Sequence, residues 1–188
     1  TLEFQNSPTF DNGSLVDVSN GELIFQSGAS ISDMNLVVAG VAALDGKNIT
    51  QSNGNLEFQD SPTFGNGSSV DVSNGELILQ SGATISGSSL DFTSATFKPS
   101  GTVSLTGSSH FMFDTDSSVI LEGDTTISDD MGSFSWPSLD LNGNTLTLAS
   151  NITDMSVEGA MSIGTGETLG SGTSNLSLNS TLTIDDGG

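Results

Sequence analysis

The sequence predicts an all-β fold, a single parallel β-solenoid (a right-handed β-helix) over residues 1–188. Three observations lead to this prediction: an internal repeat, a two-residue alternation of apolar and polar residues, and regularly placed corner residues. Together they predict coils of roughly 18–21 residues and about ten coils. Helix-capping signals and a 3.6-residue apolar period are missing, so we expect no helix.

The internal repeat relates residues 2–36 to residues 56–90 at an offset of 54, and 27 of the 35 positions are identical. A shorter pattern recurs inside it, starting at Leu2, Leu23, Leu56 and Leu77. Periods near 20 residues are typical of solenoids, whose coils bury their apolar sides only by stacking. We therefore expect three coils per 54-residue block, with the third starting near Val41 or Leu44, and degenerate coils over 91–188.

Short alternating segments predict the strands, since successive side chains of a strand point to opposite faces. Examples are Val16-Asp17-Val18, Val70-Asp71-Val72 and Leu90-Asp91-Phe92. Asn-Gly pairs supply the positive φ that a tight corner needs. They occur at 12–13, 20–21, 53–54, 66–67, 74–75 and 142–143. A sandwich of hairpins is the alternative fold, but it does not explain repeats at coil spacing.

Stacked coils would align the repeated residues in ladders. One expected inward column is Leu2, Leu23, Leu56 and Leu77, and the second is Phe4, Phe25, Phe58 and Leu79. The corner residues that follow are Gln5, Gln26, Gln59 and Gln80. Stacked amide side chains can hydrogen-bond from one layer to the next, so we expect these glutamines to form a ladder along the axis.

The charge balance excludes two classes of partner. The formal net charge is −21, from 23 acidic residues against Lys47 and Lys98 and no Arg. Such a surface cannot neutralise phosphates, so nucleic acid is not expected as a partner. The same charge repels anionic lipids, and no apolar run reaches the roughly 20 residues that cross a bilayer, so we expect no membrane insertion.

The residue usage favours an extracellular or cell-surface location. Cysteine is absent, while Ser, Thr, Asn and Gly are abundant. The chain opens at Thr1 and closes on Gly187 and Gly188, so we expect a portion of a longer polypeptide. No capping element is recognisable at either end, and we expect either further coils of the same parent chain or end-to-end self-association favoured by salt.

We expect no enzymatic activity, no catalytic residue and no cofactor. A lyase acting on uronates needs a cationic group and a base, and the chain has no Arg and no Tyr. Carboxylates available for a glycosidase pair are Asp114, Asp116, Glu122, Asp124, Asp129 and Asp130. We interpret them as a solvated acidic surface rather than a catalytic pair. His110 is the only histidine, so a catalytic triad or a cluster with two histidines is excluded.

Calcium is the one metal that the acidic residues would suit, because it takes oxygen ligands. The run at 114–124 begins with alternating Asp residues, but it lacks the central Gly and the spacing of an EF-hand. The pairs Asp129-Asp130 and Asp185-Asp186 are interpreted as solvated charge. We therefore assign no metal ligand.

Two further motifs were weighed as binding features. Thr-x-Thr occurs at 145–147 and 181–183, which we do not expect to form the multi-coil array of a flat ice-binding face. Trp136 and Pro137 break the repetition. They fit either a loop or a carbohydrate-stacking spot, and packing is the interpretation that we favour for a lone Trp.

The segment SLDLNGNTLTLASNITDMSVEGAMSIG at 138–164 resembles the degenerate β-solenoid repeats of large bacterial surface proteins, including autotransporter passengers and filamentous-haemagglutinin-like adhesins. Phage fibres share the same style of sequence. The resemblance implies a right-handed parallel helix, export, and a role as a stalk or adhesive surface. It carries over no site residue.

The predicted function is that of an extracellular structural or adhesive solenoid, a rigid stalk or a filament-forming segment. A surface glycan or a protein receptor is a candidate partner. The alternative is a carbohydrate-binding or carbohydrate-cleaving β-helix of a phage or a cell surface, since the fold alone does not decide between these functions.

Overall fold

The computed structural model describes residues 1–11, 22–130, 132–170, 175–179 and 182–184, which form strands, turns and bends and no helix. Within these residues, accordingly, no helix has the length and apolarity to cross a bilayer. The strands are β1 (Leu2–Phe4), β2 (Thr9–Phe10), β3 (Glu22–Phe25), β4 (Ala29–Ser32), β5 (Leu36–Val38), β6 (Val41–Asp45), β7 (Asn48–Ser52), β8 (Asn55–Phe58), β9 (Thr63–Gly65), β10 (Ser69–Ser73), β11 (Glu76–Leu79), β12 (Gly82–Ser86), β13 (Ser89–Thr93), β14 (Thr96–Pro99), β15 (Gly101–Thr106), β16 (His110–Phe113), β17 (Ser118–Ile120), β18 (Thr125–Asp129), β19 (Ser133–Trp136), β20 (Leu139–Asp140), β21 (Thr145–Leu148), β22 (Asp154–Val157), β23 (Met161–Ile163), β24 (Thr168–Gly170), β25 (Asn175–Leu178) and β26 (Leu182–Ile184).

All pairings among these strands are parallel, which confirms the solenoid and excludes the hairpin sandwich. The nine-stranded sheet has the order β1-β3-β6-β9-β12-β15-β18-β21-β24, and the eight-stranded sheet has β26-β23-β20-β17-β14-β11-β8-β5. The third side is interrupted: it consists of a six-stranded sheet, β16-β13-β10-β7-β4-β2, and a three-stranded sheet, β19-β22-β25. The chain visits the three sides in turn, so each coil contributes one strand to each.

The coils are longer and fewer than predicted. Register partners lie mostly 20 or 21 residues apart, as in Ser69↔Ser89 and Asn48↔Ser69. The longest coil joins Gly101 to Thr125, 24 residues further on, because Glu122, Gly123 and Asp124 are accommodated at a corner. The structure therefore has about eight coils, not about ten. Eight steps of about 4.8 Å give a stack about 38 Å long.

One continuous apolar core fills the solenoid from Phe10 to Met161. Within the strands, burial alternates as the sequence predicts: Val70 and Val72 are buried, whereas Asp71 between them faces outward. Aromatic rings stack from coil to coil, with the Phe92 and Phe113 centroids 4.6 Å apart. The predicted strand at residues 16–18 and the predicted corners at 12–13 and 20–21 lie outside the described residues.

The 54-residue block does not hold three coils, and this prediction was wrong. The offset of 54 carries β3 to β11, which is eight strands, or two and two-thirds coils. As a result β3 lies in the nine-stranded sheet and β11, with nearly the same sequence, in the eight-stranded sheet. The two predicted inward columns are therefore split, although their members do pair: Leu2 with Leu23, and Leu56 with Leu77. At the third start, Val41 is exposed and Leu44 is buried.

The glutamines after each repeated strand bind carboxylates and do not stack amide on amide as predicted. The Gln26 side chain donates to the Glu3 carboxylate at 2.7 Å, and the Gln59 side chain donates to Glu57 at 3.1 Å. All four of these glutamines are exposed. A different glutamine, Gln51, occupies an inward position on β7 and is fully buried.

Candidate functional site

The most regular surface of the molecule is the outward side of the nine-stranded sheet from β9 to β24, which we call the hydroxyl face. Its side chains alternate with buried apolar residues such as Phe64, Ile85 and Ile127. The outward residues that carry hydroxyl groups are Thr63, Thr84, Ser86, Thr102, Ser104, Thr106, Thr126, Ser128, Thr145, Thr147 and Thr168.

Strand register aligns these residues in columns that run across the coils. One column consists of Thr63, Thr84, Ser104 and Ser128, and a second consists of Thr102, Thr126 and Thr147. Neighbours within a column are about 4.8 Å apart, and alternate residues within a strand are about 6.4–6.8 Å apart. In the first column the Ser128 hydroxyl donates to the Ser104 hydroxyl at 3.1 Å. The face is thus a two-dimensional array of hydroxyl groups.

The hydroxyl face carries no charged side chain from β9 to β24, although the chain has 23 acidic residues. The nearest carboxylates lie at its margins and accept hydrogen bonds from the backbone: Asp124 from the Thr145 N–H at 2.8 Å, and Asp130 from the Gly107 N–H at 2.7 Å. Charge is instead placed on the other sides, for example at Asp71 and Lys98.

This array corrects the expectation that the Thr-x-Thr motifs form no multi-coil surface. Thr145 and Thr147 belong to the hydroxyl face. Thr183 lies in the eight-stranded sheet, and Thr181 is outside the described residues. The array was missed because serine fills many of its positions and because coil length varies, so that a search for Thr-x-Thr at a fixed spacing does not find it.

A cleft of about 480 Å³ lies where the third side is interrupted, between β16 and β19. Its walls include Phe111, Phe113 and Pro137, and the carboxylates of Asp114 and Glu158 lie at its rim. Trp136 also lines the cleft; it lies on a strand, not in a loop, and is fully buried. Its ring therefore offers no exposed surface for a sugar to stack on.

The polar groups of the cleft differ in how well they are satisfied. The Trp136 indole N–H has no hydrogen-bond partner among the described residues. The Asp114 carboxylate accepts from the Ser117 hydroxyl at 2.6 Å and from the Ser94 N–H at 2.9 Å, and these bonds, that of Ser117 foremost, hold the pKa of Asp114 below its usual value. Hydrogen bonds, chiefly from the Asn179 amide at 2.7 Å, likewise lower the pKa of Glu158.

The other acidic candidates serve structural contacts in different parts of the coil stack. Glu122 forms an ion pair with Lys98 at 3.3 Å, and Glu76 approaches the same ammonium group to 3.0 Å. Asp129 is not part of the solvated surface, since it is buried and in register with Leu105. Asp116 and His110 are exposed.

The described residues contain no group of three acidic or histidine side chains placed to hold a metal ion, and Asp185 and Asp186 lie outside them. A closer carboxyl pair, which the sequence analysis did not single out, is formed by Asp71 and Asp91 in register on neighbouring strands. Partial burial, and then the adjacent Asp91, raise the pKa of Asp71. This pair is the most strongly repelling contact that the ladder geometry creates, because like charges directly opposite each other destabilise a sheet.

Comparison with protein families, with curated proteins and with solved structures gives no match to this chain. The class of protein is therefore defined by the fold alone: a parallel β-solenoid with three sides, one of which is an uncharged hydroxyl array.

Proposed function

We propose that this chain is an extracellular structural and adhesive element, a rigid solenoid that presents the hydroxyl face as its contact surface. The observation that carries the proposal is the contrast between this uncharged array and the acidic sides around it. Natural sheets commonly protect exposed surfaces with charge, so a side kept free of charge over six strands is suited to close contact.

The rigid part of the proposal is supported by the backbone ladders. Nine strands of one sheet and eight of another are each hydrogen-bonded without a break. Each coil contacts only its neighbours, and the stack resists bending because inward residues such as Leu77 and Val103 are fully buried against the coils above and below. Small-angle scattering should report an elongated particle, and a compact sphere would contradict the proposal.

The adhesive part is tested by retention of the purified chain on insoluble materials over a salt series. Contact through an uncharged face should be insensitive to salt, because screening acts only on charges. Retention that changes steeply with salt would place the contact on the acidic sides instead. End-to-end association is a further part of the proposal, and light scattering over the same salt series tests it.

Carbohydrate binding in the cleft is the second candidate function, and the unpartnered Trp136 N–H favours it because a sugar hydroxyl would supply the missing acceptor. Cleavage is less well supported. A glycosidase needs one carboxyl group that stays protonated, whereas the pKa values of both Asp114 and Glu158 are lowered. A glycan-array screen with a reducing-end assay separates binding from cleavage.

A further inference from the structure

The hydroxyl face has a chemistry that fits water itself. Each hydroxyl group is one donor and two acceptors, which is the capability a lattice of water molecules requires from its neighbour. Threonine adds a methyl group beside each hydroxyl, so small polar and apolar patches alternate. No charged group lies on the face to impose a hydration shell of its own.

The spacing of the face fits a crystalline array. Its two repeats, about 4.8 Å across the strands and about 6.4–6.8 Å along them, follow from sheet geometry. Each differs by less than an ångström from an oxygen repeat on a growth surface of hexagonal ice. Five successive strands, from β12 to β24, each carry at least one such hydroxyl, so the match extends over many neighbouring positions.

The positions of the hydroxyls are also fixed before any contact is made. Threonine is stiff at χ1 because it is branched at Cβ. The backbone beneath is held by inward residues that are fully buried, including Ile85, Val103 and Ile127. A contact surface that is already ordered loses little conformational entropy on binding.

From these observations we propose that the hydroxyl face binds ice. The proposal rests on the proposed adhesive function and names the surface to which the solenoid attaches. A soluble saccharide is a poorer fit, since small-molecule sites are concave and the clefts described above lie on other sides of the molecule. The acidic sides remain hydrated, which confines contact with ice to one side.

The test compares the unmodified chain with two double variants. Thr84→Tyr with Thr126→Tyr places bulky uncharged groups on the hydroxyl face. The matched control, Thr50→Tyr with Thr93→Tyr, makes the same change at exposed outward positions of the six-stranded sheet. Tyrosine is accepted in strands, and circular dichroism with urea midpoints checks that both variants fold.

The readouts are thermal hysteresis, inhibition of ice recrystallisation, and enrichment in a slowly growing ice hemisphere. We expect all three for the unmodified chain and for the control variant, and their loss in the face variant. Absence of all three from the unmodified chain would overturn the proposal, as would equal loss in both variants. Retention on microcrystalline cellulose or chitin without enrichment in ice would show that the surface is a polysaccharide, in which case the adhesive function stands and ice binding falls.

Discussion

Replacement of Phe58 tests whether the inward ladder stabilises the solenoid. The Phe58 side chain is 3% exposed, stands in register with Val38 and Leu79, and meets Phe64 edge-on at a centroid distance of 5.7 Å. Phe-to-Ala changes in cores cost about 3–5 kcal/mol through lost burial and a residual cavity. Domains of this size have a free energy of unfolding of about 5–15 kcal/mol, so Phe58→Ala should remove a large share of it.

Urea unfolding followed by circular dichroism gives the measurement. With a slope of about 2 kcal/mol/M, the loss lowers the urea midpoint by about 1.5–2.5 M. Phe58→Asp should be worse, since it also buries an unpaired charge. Glu57→Gln is the control, because Glu57 faces outward, and it should change the free energy of unfolding by less than about 0.5 kcal/mol. Equal effects of Phe58→Ala and Glu57→Gln would mean that the faces of β8 are reversed.

Three further variants probe charge and corners. The pKa of Asp71 is raised in the folded state, so its contribution to stability is lost as pH rises through that pKa; Asp71→Asn should therefore raise the urea midpoint at pH 7 but not in mild acid, and no gain at pH 7 would contradict the repulsion. The pKa of Asp114 is lowered, so its contribution is present at neutral pH and lost as pH falls; Asp114→Asn should destabilise at pH 7, with a difference that closes in strong acid. Gly82 and Gly67 both have positive φ, but only at Gly82 would a Cβ collide with a backbone carbonyl, that of Thr102; Gly82→Ala should lower the thermal midpoint much more than Gly67→Ala, and similar losses would show that φ strain alone matters.

The sequence predicted the fold class because two-residue alternation fixes which side chains point inward. Val70, Val72, Leu90 and Phe92 are all buried as expected. Coil length was harder to predict, since corners absorb extra residues without altering the strands, as Gly123 and its neighbours do in the longest coil. Gln51 and Asp129 occupy inward positions that alternation assigns to apolar residues, and no local signal distinguishes them.

The hydroxyl face could not be predicted because it depends on register between strands that lie 20 to 24 residues apart. A single strand such as Thr126-Ile127-Ser128 is an ordinary half-buried strand. It becomes part of an array only when a variable corner brings it beside Thr102 and Ser104. The cleft was missed for a related reason: Trp136 was identified, but the interruption of the side that exposes its surroundings is a property of the stack.

The offset of eight strands between the two copies of the repeat has a consequence for how such a chain grows. Eight is not a multiple of three, so each added copy turns every segment onto the next side: Ser30 and Ser32 of the first copy lie on the six-stranded sheet, whereas their counterparts Thr84 and Ser86 lie on the hydroxyl face. Three copies in tandem would make 24 strands, eight whole coils, and return each segment to its starting side. Duplication of this unit therefore preserves the core but rearranges the surface, so that an exposed motif is sampled on all three sides in turn while the buried ladders stay intact.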